Sequence, residues 1–412
     1  MARRSLAAPQ GQGRARERTP SAAGPSRWSA PGANLRPARG ARVACAPRAR
    51  AMNGRMLEAS ARRRAVAVVI AIAAAAVTTG CRVEFGPPGA SRRGVASDPT
   101  EVPSGQVWIY TSLYRHVVDD LDRSIRERLP GVDPQWFVAG SEKVAARLDG
   151  ELAAGGSRAD LLLTSDPFHY ARLASGGALV PYVPPGALRA PREWLDLDGR
   201  WFPTRVSTMV LIYNTRLLTA QTAPRSFTDL GNDALSGRVI LGDPLASGTF
   251  FSTIAFLERR LGWEYFRGLR ARGLIATGGN STVLDRVAAG EFSAGACLLE
   301  NILVAKRKGS PVDYLVPSDG AILVPGPGAI LRGGSNPVAA RAIADLLTSP
   351  DGEAAIVRGD MHAPDPAIAP PAGAPALAEL YATAPRWTPE LIADVGRRAE
   401  EIRTTFNSVV QR

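Results

Sequence analysis

Side chains that carry most enzyme and metal chemistry are scarce in this chain of 412 residues, which contains 3 Cys and 3 His. From residue 105 onward it lacks the motifs G-x-S-x-G, G-x-x-x-x-G-K-[ST], H-E-x-x-H and C-x-x-C. These absences argue against a hydrolase elbow, a P-loop, a zincin-type site and a redox dithiol. His116 and His169 fall in predicted helices, where an isolated His is usually a surface or capping residue. We therefore predict no catalytic residue, no metal and no cofactor.

Cysteine pairs are also missing from the region that we expect to fold. The three cysteines are Cys45, Cys81 and Cys297, and only Cys297 lies beyond residue 104. No intrachain disulfide can form there, so stability must come from a hydrophobic core. A hydrophobic content of 45% is ample for such a core.

Acidic residues are scarce only at the N-terminus. The formal net charge is +12, but residues 1–64 alone contain 15 Arg and 2 acidic residues. The rest of the chain has 35 Lys and Arg against 36 Asp and Glu, and these charges are well mixed. A nucleic-acid partner needs basic side chains clustered on the folded surface. We therefore expect no nucleic-acid binding.

The N-terminal region has the features of an export signal. Residues 1–51 are rich in Arg, Ala, Pro and Gly and are predicted to be disordered, unless translation begins at Met52 or Met56. Within residues 52–81, three Arg precede 13 apolar residues at 65–77. A helix of that length rises only ~20 Å, less than the ~30 Å hydrocarbon core of a membrane. The pattern predicts a signal peptide rather than a permanent span.

The signal ends in Thr-Thr-Gly-Cys, which resembles the lipobox of bacterial lipoproteins. That resemblance implies acylation of Cys81 and membrane anchoring, although Thr78 stands where the pattern usually has Leu. Residues 82–104 are rich in Pro, Gly and Ser and are predicted to form a flexible tether.

Beyond residue 104 the sequence alternates between predicted strands and helices. Runs such as QVWIYTS and ADLLLTS are typical of strands, and residues 113–129 carry apolar residues at helical spacing. Such βαβ repetition predicts an α/β fold with mostly parallel sheets and helices on their faces. We predict two lobes at 105–205 and 214–315 with a ligand cleft between them. Residues 206–213 form a crossing strand, and residues 316–412 return to the first lobe and add C-terminal helices.

Small polar residues recur where the predicted strands end. Five such junctions stand at residues 110–112, 140–142, 164–167, 246–249 and 278–281. Each alone is explained by helix capping, but ligands of parallel α/β sheets bind at the carboxyl ends of the strands. Free backbone N–H groups and hydroxyls that converge there form a site for a small anion without needing a cluster of Arg.

These features together resemble the extracellular solute-binding proteins of ABC importers. The resemblance covers about residues 105–365 and rests on the runs VWIYTSLYRHVVDDL, GSEKVAARLDGE, ADLLLTSDPFHY, GDPLASGTFF, GGNSTVLDRVAAGE and LLENILVAKRKGSPV. The most similar group includes ferric-ion binders and binders of phosphorylated sugars and aminoalkylphosphonates. It implies two lobes that close on a ligand, joined by crossing strands at 205–213 and near 316–325.

Within that group, the ferric-ion binders use a His, a Glu and two adjacent Tyr as ligands. The corresponding places hold approximately Tyr114, Ser165 and Ile302-Leu303. Fe³⁺ is a hard cation that needs anionic oxygen ligands, which Ser, Ile and Leu do not supply. The group's anion site, by contrast, matches Ser247-Gly248-Thr249 and Asn280.

The resemblance therefore implies a periplasmic or envelope-bound importer component, monomeric, that delivers a small organic anion to a permease in the inner membrane. A phosphorylated sugar or a phosphonate is the favoured ligand. Hydroxyls and Asn280 would hold its anionic head, and Glu142, Asp166 or Glu300 would bind hydroxyls or an amine at its other end. Tyr110, Tyr114 and Tyr170 would flank it, unless they serve only packing. The predicted ligand-binding residues are Thr111, Ser112, Tyr114, Ser141, Glu142, Ser165, Asp166, Ser247, Gly248, Thr249, Asn280, Ser281 and Glu300.

Other functions on the same scaffold stay open at this point. A ferric-ion binder would need ligands that the pattern above does not supply. A ligand-sensing lipoprotein, an enzyme and a structural envelope protein are further alternatives, because a fold alone does not define a function.

Overall fold

A computed structural model describes residues 102–410, in which strands and helices alternate along the chain. The predicted leader, the lipobox with Cys81 and most of the tether lie outside the described residues. The strands are Gly105–Thr111 (β1), Val132–Val138 (β2), Leu161–Leu163 (β3), Leu179–Val180 (β4), Phe202–Asn214 (β5), Val239–Leu241 (β6), Ile275–Ala276 (β7), Ala294–Leu298 (β8), Val312–Leu315 (β9) and Ile322–Leu331 (β10).

The described helices are named here in chain order. They are Arg115–Arg128 (α1), Ser141–Ala153 (α2), Pro167–Ser175 (α3), Gly248–Ala271 (α4), Asn280–Ala288 (α5), Leu299–Arg307 (α6), Pro337–Leu347 (α7), Pro350–Arg358 (α8), Leu377–Thr383 (α9) and Pro389–Val410 (α10). Four short 3₁₀ helices join these elements at Pro185–Arg189, Arg192–Trp194, Thr228–Gly231 and Asp233–Leu235.

The strands form one continuous sheet in the order β2-β1-β3-β10-β5-β8-β6-β7, with β4 beside β10 and β9 beside β5. Pairing is parallel within β2-β1-β3 and within β8-β6-β7. These two parallel groups are the sheets of the two lobes, as the strand and helix alternation predicted. Strands β5 and β10 lie between them and run antiparallel to each other.

Strand β5 belongs to both lobes. Its first half pairs with β10, and residues 209–213 pair with β8 in the second lobe. All thirteen residues are buried, although Thr204, Arg205, Ser207 and Thr208 are polar or charged. The second crossing strand is β10, which starts at Ile322 after β9 and the loop 316–321.

Two apolar layers cover the sheet of the first lobe. Val107 and Ile109 of β1 pack with the buried stripe of α1, which includes Val117, Leu121 and Ile125. The alternate residue Tyr110 packs on the other face with α2 and α3. This alternation is the period-2 pattern of a strand that is buried on both sides.

The C-terminal helix α10 joins the two lobes on one side. It packs against α3 of the first lobe and α4 of the second. Phe406 of α10 makes an edge contact with Phe266 of α4. Residues 316–412 therefore contact both lobes.

His169 is a second correction. It was expected at the surface or at a cap, but it is buried, and its Nε2 lies 2.9 Å from Asp149 Oδ1.

Cys297 is a free thiol buried in β8. Among residues 102–410, no helix combines the length and the apolar character that a membrane span requires.

Candidate functional site

A cavity of about 270 Å³ lies where the strand-end loops of both lobes meet. Eight of the thirteen predicted residues line it: Ser112, Tyr114, Ser141, Ser165, Ser247, Thr249, Asn280 and Ser281. Its other lining residues are Leu113, Gly140, Arg205, Ser207, Ala246, Gly279, Leu298 and Met361. We call it the oxyanion cavity. The loops meet because the carboxyl ends of parallel strands lie along one edge of each lobe.

Three helices begin at this cavity without a side chain that caps them. The N-cap residues of α1, α2 and α5 are Tyr114, Gly140 and Gly279, and none of them accepts a backbone N–H through its side chain. The first N–H groups of a helix have no partner inside it, and they carry partial positive charge. Capping therefore does not explain Ser141 or Asn280, and the helix ends supply donors to the cavity.

Hydroxyl pairs line the cavity from each lobe. Ser141 Oγ and Ser165 Oγ are 2.8 Å apart in the first lobe, and Ser247 Oγ and Thr249 Oγ1 are 2.9 Å apart in the second. Ser247 also caps α4 by accepting the N–H of Phe250. A hydroxyl donates one hydrogen bond and accepts others, so each pair keeps further capacity for a ligand.

Asn280 joins the hydroxyls of the second lobe. Its Nδ2 donates to Thr249 Oγ1 at 2.9 Å and to Ser247 Oγ at 3.3 Å, while its Oδ1 is buried without a partner. Because hydroxyls donate and accept equally well, a half turn of the amide keeps both contacts and presents Nδ2 in place of Oδ1. Asn280 can thus offer a donor or an acceptor to a ligand.

Gly248 brings the two lobes into contact behind the cavity. A Cβ atom built there would lie 3.1 Å from Asp166 Cβ, 3.2 Å from Ser141 Cβ and 3.2 Å from the Ser165 carbonyl oxygen. Any side chain at this position would press α4 against the first lobe. Gly248 therefore does not line the cavity; it permits the close approach of the lobes.

Arg205 is the charged residue that the sequence analysis missed. It lies in the crossing strand β5, is 2% exposed, and donates from Nη2 to Ser112 Oγ at 3.2 Å. Its Nη1 is buried without a partner. Burial lowers the pKa of Arg205 from its ordinary value, although the guanidinium stays charged. The cavity therefore contains one buried cation with an unused donor.

The place of Arg205 depends on a glycine in the neighbouring strand. Gly326 of β10 lies opposite Arg205, and a Cβ there would come within 2.7 Å of Arg205 Cγ. The guanidinium extends across the space that Gly326 leaves open. In the sequence, the available signal was a lone Arg at the start of an otherwise uncharged strand.

Glu142 and Asp166 lie outside the cavity lining and have other partners. Arg403 of α10 places Nη2 3.3 Å from Glu142 and 3.6 Å from Asp166. Asp166 also caps α3 by accepting the N–H groups of Phe168 and His169. Burial, followed by the nearby Asp166, raises the pKa of Glu142. These carboxylates are therefore committed to the C-terminal helix and to a helix cap.

Thr111, Tyr110 and Tyr170 are also set back from the cavity. Thr111 is fully buried and donates to the carbonyl of Leu163 at 2.9 Å. Tyr110 donates to Glu151, and Tyr170 donates to the carbonyl of Pro327. All three side chains hold the sheet and its loops in place rather than face a ligand.

Glu300 and Tyr114 border a neighbouring cavity of about 320 Å³, lined mostly by α5 and α6, which we call the Glu300 cavity. Glu300 is 2% exposed at the start of α6, and burial raises its pKa to about 7. Tyr114 donates from its hydroxyl to Asn301 Oδ1 and so connects the first lobe to α6. Burial raises the pKa of the Tyr114 phenol well above its ordinary value.

The described residues do not assemble a metal site. Among residues 102–410 there is no group of three or more His, Cys, Asp or Glu side chains arranged to hold a metal ion. Ile302 and Leu303, which stand approximately where the ferric-ion binders have two Tyr, are buried in α6.

Solved structures place this fold in the class of two-lobed periplasmic binding proteins. Iron-bound HitA from Pseudomonas aeruginosa is 22% identical with a TM-score of 0.65, covering 74% of this chain and 99% of HitA. AfuA from Actinobacillus pleuropneumoniae, with fructose-6-phosphate bound, is 20% identical with a TM-score of 0.65, covering 74% of this chain and 98% of AfuA. Identities this low establish the fold alone.

The family model for bacterial extracellular solute-binding proteins matches residues 157–386, and the chain belongs to that family. A probable ABC transporter periplasmic-binding protein, y4fP, from Sinorhizobium fredii is 28% identical over 133 residues. An uncharacterized protein from Haemophilus influenzae is 28% identical over 134 residues. The alignments cover 30% and 32% of this chain, and only 37% and 39% of these relatives' own length.

Proposed function

We propose that this protein is the substrate-binding component of an ABC importer and that its ligand is a small organic oxyanion. A phosphorylated sugar or a phosphonate fits this description best. The observation that carries the proposal is the oxyanion cavity itself, where Arg205 Nη1 is buried without a partner among hydroxyls and free helix ends. A buried guanidinium is stabilised by a charge-assisted hydrogen bond, and a phosphate or phosphonate oxygen is a suitable acceptor.

The donors around Arg205 suit a tetrahedral anion. Ser112 and the Ser141–Ser165 pair lie on the first lobe, and Thr249 and Asn280 lie on the second. A ligand held by both lobes stabilises the closed arrangement, because it can form hydrogen bonds to the donors of both lobes at once only when the lobes are closed. Closure would then be the signal that the permease recognises.

The relatives support this reading without deciding the ligand. AfuA is described with fructose-6-phosphate bound and HitA with iron bound, and y4fP is described as a probable ABC transporter component. In this chain, the lining of the oxyanion cavity lacks carboxylate and imidazole groups, and Tyr114 is its one phenol. That composition supports the oxyanion over Fe³⁺.

Thermal unfolding of the purified protein with a panel of compounds tests the ligand class. The panel contains glucose 6-phosphate, ethylphosphonate, succinate and Fe³⁺, in a buffer free of phosphate. We expect the first two to raise the unfolding temperature, because a ligand that binds only the native state stabilises it by mass action. Stabilisation by Fe³⁺ alone, with a coloured complex, would contradict the proposal.

Uptake in cells separates import from sensing. Deletion of the gene should abolish accumulation of the radiolabelled compound that binds in the panel, and the intact gene should restore it. Unchanged uptake, together with a lost transcriptional response to that compound, would favour a sensing role on the same scaffold.

We also propose that the chain is exported and acylated at Cys81, as its lipobox-like segment suggests. The wild-type protein should incorporate radiolabelled palmitate in cells, and Cys81→Ala should not. Labelling of the Ala variant at the wild-type level would contradict acylation at this residue.

A further inference from the structure

A large cavity lies between the first lobe and the C-terminal helix, apart from the oxyanion cavity. Its volume is about 860 Å³, against about 270 Å³ for the oxyanion cavity. Its lining comes from α3, the segment 192–201 and the first half of α10. Cavities of this size commonly bind small molecules when they combine an apolar lining with a few polar groups. We call it the α10 cavity.

Much of the lining of the α10 cavity is apolar. Leu195 and Trp201 line it and are each 7% exposed, and Ile392 of α10 is partly buried. Leu197, which also lines the cavity, is 69% exposed. Contact between water and apolar surface is unfavourable, so a ligand with an apolar chain is stabilised when it displaces water from these side chains.

The two acids in the lining are compensated by neighbouring Arg side chains. Asp196 lies 2.9 Å from Arg200 Nε and also accepts the backbone N–H groups of Asp198 and Arg200. Glu193 Oε1 lies 3.8 Å from Nη1 of Arg386. The negative charge of the lining is therefore balanced without a ligand.

The other Arg side chains in the lining lie toward solvent. Arg172 pairs with Asp149 at 3.3 Å, and Arg397 pairs with Asp394 at 3.3 Å. Asp394 is itself shared with two further Arg side chains. Arg192 is exposed and donates to two backbone carbonyls at 3.3 and 3.5 Å, with no carboxylate partner among residues 102–410. Arg192 and Arg397 thus give the solvent side of the cavity an excess of positive charge.

We propose that the α10 cavity binds an amphipathic carboxylate, whose alkyl chain covers Leu195, Trp201 and Ile392 and whose carboxylate lies at Arg192 and Arg397. The apolar lining and the positively charged solvent side complement the two ends of such a molecule. A single free chain enters a concavity of this kind, whereas a flat membrane surface does not reach side chains that are 7% exposed. The inference does not depend on the proposed function, because the oxyanion cavity has a separate lining.

Calorimetric titration with alkyl carboxylates of eight, ten and twelve carbons tests the ligand class. Affinity should rise about tenfold for every two added carbons, because each methylene leaves water. Decyltrimethylammonium, which has a chain equal to that of decanoate and the opposite charge, should bind at least about tenfold more weakly. Absence of carboxylate binding, affinity independent of chain length, or equal affinity for the two charges would overturn the proposal.

Gly396→Leu tests whether the chain occupies the cavity. Nothing lies within 4 Å of a Cβ atom built at Gly396, which lines the cavity from α10, and Leu favours a helix more than Gly does. The variant should therefore fold and should weaken decanoate binding at least about tenfold. Gly150→Leu in α2 is the matched control, because its Cβ position is equally open and lies outside the lining. Equal affinities in the two variants would overturn the proposed site.

A double variant with Arg192→Gln and Arg397→Gln tests the position of the carboxylate. Affinity for decanoate should fall about tenfold or more, while the dependence on chain length stays. The matched control combines Arg123→Gln and Arg267→Gln, which removes two exposed charges from α1 and α4. Each of these Arg side chains pairs with an acid one turn away, as Arg397 does. Equal losses in both double variants would overturn the assignment to Arg192 and Arg397.

Vesicles of phosphatidylglycerol test a membrane lipid as the other source of the same chemistry. In the Cys81→Ala background, which removes the proposed anchor, vesicles should bind equally to the protein with and without Gly396→Leu. Vesicle binding that Gly396→Leu abolishes, without binding of free decanoate, would assign the cavity to a membrane and overturn the proposal. Unfolding temperatures establish that each variant is folded before titration.

Discussion

The two cavities of the cleft share Tyr114 and Ser281 and differ in the charge that each contains. The oxyanion cavity holds a buried Arg205 among hydroxyls and helix ends, and the Glu300 cavity holds a buried carboxylate. Both charged groups retain one atom without a partner. Selectivity in such a cleft comes from buried groups whose partners the ligand must supply, rather than from the net charge of the protein.

A second comparison lies within two short segments of the first lobe. Ser141 and Ser165 line the oxyanion cavity, whereas their sequence neighbours Glu142 and Asp166 bind Arg403. The serines line the cavity, and the neighbouring acids are paired with Arg403 outside its lining. Negative charge is thereby kept away from the place where an anion would bind.

The largest expected effect concerns the burial of Glu300. Its pKa is raised to about 7 in the folded protein, against an ordinary value of 4.5 for Glu. Between these values the unfolded chain loses the proton while the folded protein keeps it, so stability falls as pH rises from about 4 to 7. We therefore expect the free energy of unfolding of Glu300→Gln to fall by about 3 kcal/mol less than that of wild type over this pH range.

Urea unfolding of wild type and variant at pH 4 and pH 8, without ligand, measures this difference. Comparing the two proteins cancels the contributions of Glu142 and Glu353, whose pKa values are also raised. If the free energy of unfolding changes equally with pH in both proteins, Glu300 is not desolvated. The contrast between the two cavities would then be lost.

Arg205 carries the next effect. Arg205→Met keeps most of the side-chain volume and removes the charge, so binding of ethylphosphonate should weaken by about 2 kcal/mol, or roughly 30-fold. Arg123→Met is the control, because that side chain is 66% exposed on α1. Titration of both variants checks the prediction, and equal affinities would place the anion elsewhere.

Asn280 distinguishes an anion from a cation at the same place. Asn280→Ala should cost about 1 kcal/mol of ethylphosphonate affinity, since it removes one neutral hydrogen bond. Asn280→Asp should cost more, because it sets a negative charge against the oxyanion. A cation site would be indicated instead if Asn280→Asp binds Fe³⁺ more tightly than wild type and binds ethylphosphonate as tightly as wild type.

The smallest effect concerns closure of the lobes. Gly248→Ala places a methyl group 3.1 Å from Asp166 Cβ, so the lobes must separate by a few tenths of an ångström and affinity should fall about threefold. Gly150→Ala in α2 is the matched control, because nothing lies within 4 Å of its added methyl group. Titration with ethylphosphonate compares the two, and an equal response would mean that this contact does not limit closure.

Local patterns in the sequence predicted much of the fold. The alternation of strands and helices, the buried stripe of α1 and the crossing strand β5 all follow from spacing and burial. Eight predicted residues line the oxyanion cavity, because strand-end loops of parallel sheets meet at one edge.

What the sequence did not predict depends on contacts between distant residues. Arg403 reaches Glu142 across 261 positions, and Arg205 fits only because Gly326 lies beside it in the neighbouring strand. Likewise, the run LLENIL gives no sign that Glu300 is fully buried. Periodicity describes an element's own faces, and tertiary pairing decides which polar residues remain free.

The most direct test of the central claim is a crystal structure of the protein with ethylphosphonate. We predict that a phosphonate oxygen lies within hydrogen-bond distance, about 3 Å, of Arg205 Nη1, with further contacts to the hydroxyls of both lobes. A phosphonate bound outside the oxyanion cavity, or a metal ion coordinated by Tyr114 in its place, would contradict the account.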